Sequence, residues 1–103
     1  MKTIKLSNSE QIAVVDDIDY ELVSGFTWYL KSNGHGTFYV CTSKRTEYGI
    51  RTIRLHRLIM NPKKNEDIHH KNYNPLDNIR SNLERFDHKY HGYEFKGDEN
   101  VRM

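Results

Sequence analysis

Histidines gather toward one end of this chain. Four of the six, His69, His70, His88 and His91, fall within "DIHHKNYNPLDNIRSNLERFDHKYH". Neutral imidazole is a good ligand for first-row divalent metals and a good general base near neutral pH. A metal needs ligands that converge from separate elements. His69 and His70 are adjacent, so on a regular strand their side chains leave by opposite faces. One of the pair, with His91 from a later element, can meet at an ion. The other then faces away, toward a bound phosphate and its attacking water. His88 is a possible further ligand.

The elements that must position these groups follow from local sequence. "DIHH" reads as a short strand. "KNYNPLDNIRS" reads as a loop rich in residues that cap their own backbone. "NLERF" alternates like a second strand. "DHKYHGY" reads as the start of a helix, with Asp87 as N-cap and His91 in its second turn. The last eight residues, "KGDENVRM", read as a frayed tail.

Upstream, "TIKL" and "IAVV" predict a hairpin across "SNSEQ". "DDIDYELVSG" predicts a short helix capped by Asp16 or Asp17, with Ile18 and Leu22 on its apolar face and Gly25 at its end. "FTWYLKS", "TFYVCTS" and "GIRTIRL" are rich in aromatic and β-branched residues and predict an antiparallel sheet. The turns between them fall at "NGHG" and "KRTEY", and His35 sits exposed in the first. Trp28, Tyr29, Phe38 and Tyr39 are expected in the core or in cross-strand packing. "LHRLIM" predicts one or two helical turns with Leu55, Leu58 and Ile59 on one face, stopped by Asn61 and Pro62. His56 on this helix is expected to be a hydrogen-bonded structural histidine.

At 103 residues the chain fits one small α+β domain whose core is limited in area. Its 36% hydrophobic and 29% charged content suits a folded, soluble protein rather than a disordered one. There is no apolar run of membrane-spanning length, and "MKTIKLSNSE" lacks a signal-peptide core. Cys41 is the lone cysteine, which excludes an internal disulfide and a Cys-type zinc site. A cytoplasmic location is the expectation. The net charge is only +2, but it is unevenly spread. From Glu10 to Gly25 every charge is acidic. From Lys44 to Lys64 only Glu47 interrupts Lys44, Arg45, Arg51, Arg54, Arg57, Lys63 and Lys64. Such a basic segment suits an anion such as a phosphate backbone; the alternative is an ordinary solvated face with internal ion pairs.

"HHKNYNPLDNIRSNL" resembles the ββα-metal, or HNH, nuclease motif, and is closest to the free-standing and intron-encoded HNH endonucleases of bacteriophages. Their pattern runs D/H-H-x-N-x-x-x-x-D-N-R-x-x-N-L, followed by a helix with a final Asn or His. His70, Asn72, Leu76 to Asn78, Asn82 and Leu83 match it without gaps. The upstream "VDDIDYELVSGFTWYL" and "LHRLIM" are also similar, so the resemblance spans roughly residues 5 to 92. It implies an N-terminal β-rich, DNA-contacting part over residues 1–64, a ββα-metal unit over 65–95 and a tail over 96–103.

The resemblance also implies roles. His70 is the general base. His69 and His91 hold one divalent metal that binds the scissile phosphate and steadies the leaving 3′ oxygen. Asn82 ties the loop to the strands and keeps His70 in orientation. Asn72, Asp77 and Asn78 shape the loop, and Arg80 lies near a phosphate. Lys44, Arg45, Arg51, Arg54, Arg57, Lys63 and Lys64 grip the DNA backbone. Two positions depart from the pattern. Many relatives carry Asp where His69 stands; the implied ion is Mg²⁺ or Mn²⁺, with Zn²⁺ or Ni²⁺ as the softer alternatives that a histidine pair favours. Ile79 replaces an Arg. The implied activity is a metal-dependent DNA endonuclease, working as a monomer or homodimer. The other reading is a catalytically silent DNA-binding or regulatory protein, or an inhibitor, on the same fold.

Overall fold

The two predicted β-rich regions fold as separate small sheets that share one apolar core. The computed structural model describes residues 1–34 and 36–87. Among them are three small sheets and two helices, an α+β arrangement. β1 (Lys2–Lys5) and β2 (Ile12–Val15) form the expected antiparallel hairpin. Its inward residues Ile4, Ala13 and Val15 are buried, as strand alternation requires. Leu6 then bridges to Trp28, which leads into β3 (Tyr29–Ser32). β3, β4 (Phe38–Thr46) and β5 (Gly49–Arg54) form the second sheet, antiparallel throughout.

α1 (Asp17–Val23) follows β2, but it does not bury the predicted stripe. Ile18 is 82% exposed and Leu22 is half-exposed; Asp19 and Val23 are the buried residues. The reason is electrostatic and distant in sequence. Arg80 donates from Nε and Nη2 to the Asp19 carboxylate at 2.9 and 2.7 Å, which lets a charged residue turn inward. Asp16 is the N-cap, yet its side chain makes no cap bond; its carboxylate accepts the Arg80 backbone N–H at 2.8 Å. The helix ends at Val23 with Ser24 as C-cap, just before Gly25, which does not take a left-handed conformation.

Two further expectations fail in the second sheet. Phe38 is 53% exposed rather than in the core, while Trp28 is buried with its indole N–H donating to the Val23 carbonyl at 2.8 Å. The β4–β5 turn is only Glu47 and Tyr48. Lys44, Arg45 and Thr46 belong to β4 and pair with Arg51, Ile50 and Gly49. α2 (Leu55–Met60) places Leu55 and Ile59 in the core with Leu58 packed against it, and it stops at Asn61, whose φ is 47°.

β6 (Glu66–His70) and β8 (Leu83–Asp87) form the third sheet, an antiparallel ribbon. Between them the chain makes β7 (Asp77–Asn78) and a 3₁₀ turn (Arg80–Asn82). β7 pairs in parallel with β2, matching Val14 with Asp77 and Val15 with Asn78. The first sheet therefore has the order β1-β2-β7 and is completed by the histidine-bearing segment. The predicted helix at "DHKYHGY", with His88 and His91, and the tail over 96–103 lie outside the described residues, as does His35.

Candidate active site

The β6–β8 ribbon separates the histidine doublet. Register pairs His69 with Glu84 and His70 with Leu83, and directly opposed residues share a face. His70 lies on the face of the buried Ile68 and Leu83. His69 lies on the other, its ring edge-on to Tyr73 at 5.0 Å and to Phe86 at 6.4 Å. Both rings line one open cleft of about 520 Å³.

His70 is held by Asn78. The Asn78 side chain is fully buried, and its Nδ2 donates to the Pro75 carbonyl at 3.0 Å. That bond fixes the amide, so its Oδ1 faces His70 Nε2 at 2.9 Å. An amide oxygen can only accept, so Nε2 carries the proton and Nδ1 keeps its lone pair. Burial lowers the His70 pKa; the Asn78 bond opposes this, the nearby His69 charge adds to it, and Asp77 opposes it again. The group thus stays an unprotonated base near neutral pH, with a defined tautomer.

The loop is tied down by Asn82. Its Oδ1 accepts the Asn72 backbone N–H at 3.1 Å, and its Nδ2 donates to Asn72 Oδ1 at 3.0 Å and to the Asp77 carbonyl at 2.9 Å. Its backbone carbonyl accepts the Lys71 N–H at 2.7 Å. Asn72 in turn donates to Asp77 at 3.0 Å and accepts from the Asn74 N–H at 2.9 Å. So Asn82 closes the loop beside His70, whereas the ring itself is gripped by Asn78. Sequence reasoning gave Asn78 only a loop-shaping place. No local signal marked it for more, because the strand that buries Asn78 forms only by pairing with β2.

His56 is the second residue sequence reasoning misjudged. It is buried as expected, but its ring makes no hydrogen bond among the described residues. It packs instead on His70, with ring centroids 4.7 Å apart and tilted by 55°. Burial first, then the charges of His70, Arg54 and Arg57, push its pKa down to about 3, against a smaller opposite effect of Asp67.

The basic residues divide into groups. Lys44, Arg51, Arg54 and Arg57 line a groove of about 630 Å³. Arg54 and Tyr39 line both this groove and the histidine cleft, so the two spaces adjoin. The Arg54 guanidinium lies 4.3 Å above the Tyr39 ring. Arg57 is partly committed to Asp67, at 2.9 Å. Arg45 is opposite Ile50, on the other face of the β4–β5 ribbon from Lys44 and Arg51. Lys63 and Lys64 are exposed between α2 and β6, and Arg80 is bound to Asp19 rather than placed in the groove.

His69 is the one expected metal ligand within the described residues. Its imidazole suits a divalent transition ion. No group of three or more His, Cys, Asp or Glu side chains comes together among the described residues, and the other expected ligands, His91 and His88, lie outside them. No described helix is long and apolar enough to cross a membrane. Compared with protein-family models, curated proteins and solved structures, the chain matches none of them.

Proposed function

We propose that this chain is a metal-dependent HNH-type endonuclease that hydrolyses phosphodiester bonds of double-stranded DNA. The observation that carries the reading is His70: a base with a fixed tautomer in a cleft that adjoins a basic groove. The groove residues Lys44, Arg51, Arg54 and Arg57 bind the phosphate backbone, which delivers a strand toward the cleft. His70 Nδ1 takes a proton from water, and Asn78 keeps the ring turned for that task while Asn82 holds the neighbouring loop. A divalent ion held at His69 supplies Lewis-acid stabilisation of the phosphate charge when bound. His56 cannot share this role: it is buried, and a pKa pushed down to about 3 makes its ring too weak a base to hold a proton taken from water.

The test is nicking of supercoiled plasmid with Mg²⁺, Mn²⁺, Zn²⁺ or Ni²⁺, beside His70→Ala. Nicked circles that depend on His70 support the reading. If no ion raises nicking above the variant's background, the enzyme reading is wrong, and a DNA-binding protein on the same fold takes its place.

A further inference from the structure

His56 has no task in that mechanism, yet it is the least ordinary group in the cleft. It is only 7% exposed, and its ring nitrogens find no hydrogen-bond partner among the described residues. An unsatisfied buried polar group costs about 1–3 kcal/mol, and most native proteins avoid it. The same residue forms part of the wall of the cleft that Arg54 and His70 also line, and its ring packs on His70. Arg54 is in a matching position. Among the described residues it has no carboxylate within ion-pair distance, whereas Arg57, Arg80 and Arg85 each have one. Stacking on Tyr39 restrains the guanidinium without using up its donors. A desolvated N–H and an uncommitted guanidinium therefore border one space, beside the base.

We propose that His56 and Arg54 form a phosphate subsite of the cleft. The ring N–H of His56 and the guanidinium of Arg54 donate to non-bridging oxygens of a phosphodiester group. The subsite places that group next to His70. Its assignment to the scissile phosphate rests on the nuclease reading. A neutral imidazole suits the task, because an N–H in a poorly solvated wall is a strong donor to an oxyanion and needs no counter-charge of its own. The ligand also supplies the ring nitrogen with a partner that none of the described residues provides.

The experiment uses the full chain, chelator-treated, with inorganic phosphate as probe. Side-chain ¹⁵N spectra report each histidine separately. Saturable movement of the His56 ring nitrogens with added phosphate is expected. Arg54→Ala should weaken that response by about tenfold or more, the value of a charge-assisted hydrogen bond. His56→Phe keeps a ring in the core and should abolish the tighter phosphate binding, while His56→Gln restores a donor and should recover it to within about tenfold. Because the wild-type spectrum is itself a readout, misfolding of a variant leaves the proposal open to refutation. If phosphate leaves the His56 nitrogens unmoved, or if Arg54→Ala binds phosphate as wild type does, the subsite is wrong. Phosphate binding without plasmid nicking would sink the nuclease and keep the subsite. Nicking with no response at His56 would do the reverse.

Discussion

The buried imidazole of His56 makes the fold acid-sensitive by an amount that can be worked out. In the unfolded chain a histidine titrates near its ordinary value of 6.5, while in the folded protein the His56 pKa is pushed down to about 3. As pH falls below the unfolded value, protons bind the unfolded state and not the folded one, so stability drops. The slope approaches about 1.4 kcal/mol per pH unit for each such group. Between about pH 7.5 and about pH 5, His56 alone should remove about 2 kcal/mol. For a domain of this size that is a fall of about 8–16 °C in Tm. His70, whose pKa is also lowered, adds in the same direction. The carboxylates with depressed values, Asp17 and Glu66, lose their contribution mainly below their ordinary values of 3.8 and 4.5, so the upper window isolates the histidines. The assay is urea unfolding followed by Trp28 fluorescence at both pH values, for wild type and His56→Gln. The variant should lose about 2 kcal/mol less than wild type over this interval, whatever its absolute stability. Equal pH slopes for the two proteins would refute the argument that His56 is buried uncharged.

Other outcomes follow from the same geometry. Asn78→Leu removes the acceptor that fixes the His70 tautomer; kcat for plasmid nicking should fall about 10–100-fold with little change in KM, as for loss of other orienting partners. Arg80→Met leaves the Asp19 carboxylate buried and alone; thermal unfolding should show a loss of about 2–3 kcal/mol, less than for a fully buried pair because Arg80 is half exposed. Lys44→Ala and Arg51→Ala should each lower the slope of log Kd against log salt by about 1, measured by fluorescence anisotropy on a short duplex, while leaving the melting temperature within about 2 °C.

Legibility from sequence followed the range of the interactions. Hairpins, strands and α2 depend on alternation and on nearest neighbours, and β1, β2, β6, β8 and α2 fall close to where the pattern puts them. α1 was predicted to turn Ile18 and Leu22 inward because the helix was read alone. Asp19 wins that place through Arg80, sixty-one positions away, which no local period encodes. The site divides the same way. The spacing of His70, Asn72, Asp77 and Asn82 marks a loop, and the Asn82 bonds close it. That Asn78 would reach His70, or that His56 would pack on it, depends on how α2 and β7 approach β6. Phe38 shows the converse: an aromatic residue at a strand end has no neighbour to cover it, whatever its propensity.

The pairing of β7 with β2, and the grip of Asp16 and Asp19 on Arg80, also bear on whether the histidine unit can be exchanged between proteins. Asn78 presents its amide to His70 from a strand whose only lateral neighbour among the described residues is the N-terminal hairpin. A fragment beginning at Glu66 would keep both histidines and the whole motif, but it would lack the strand on which Asn78 rests and the carboxylates that anchor the following turn. Grafting such a fragment onto another scaffold therefore transfers the letters of the motif without the orientation of its base. The first twenty-odd residues travel with the site or the site does not assemble. Recombination that keeps this arrangement must cut outside both ends of that long-range clasp.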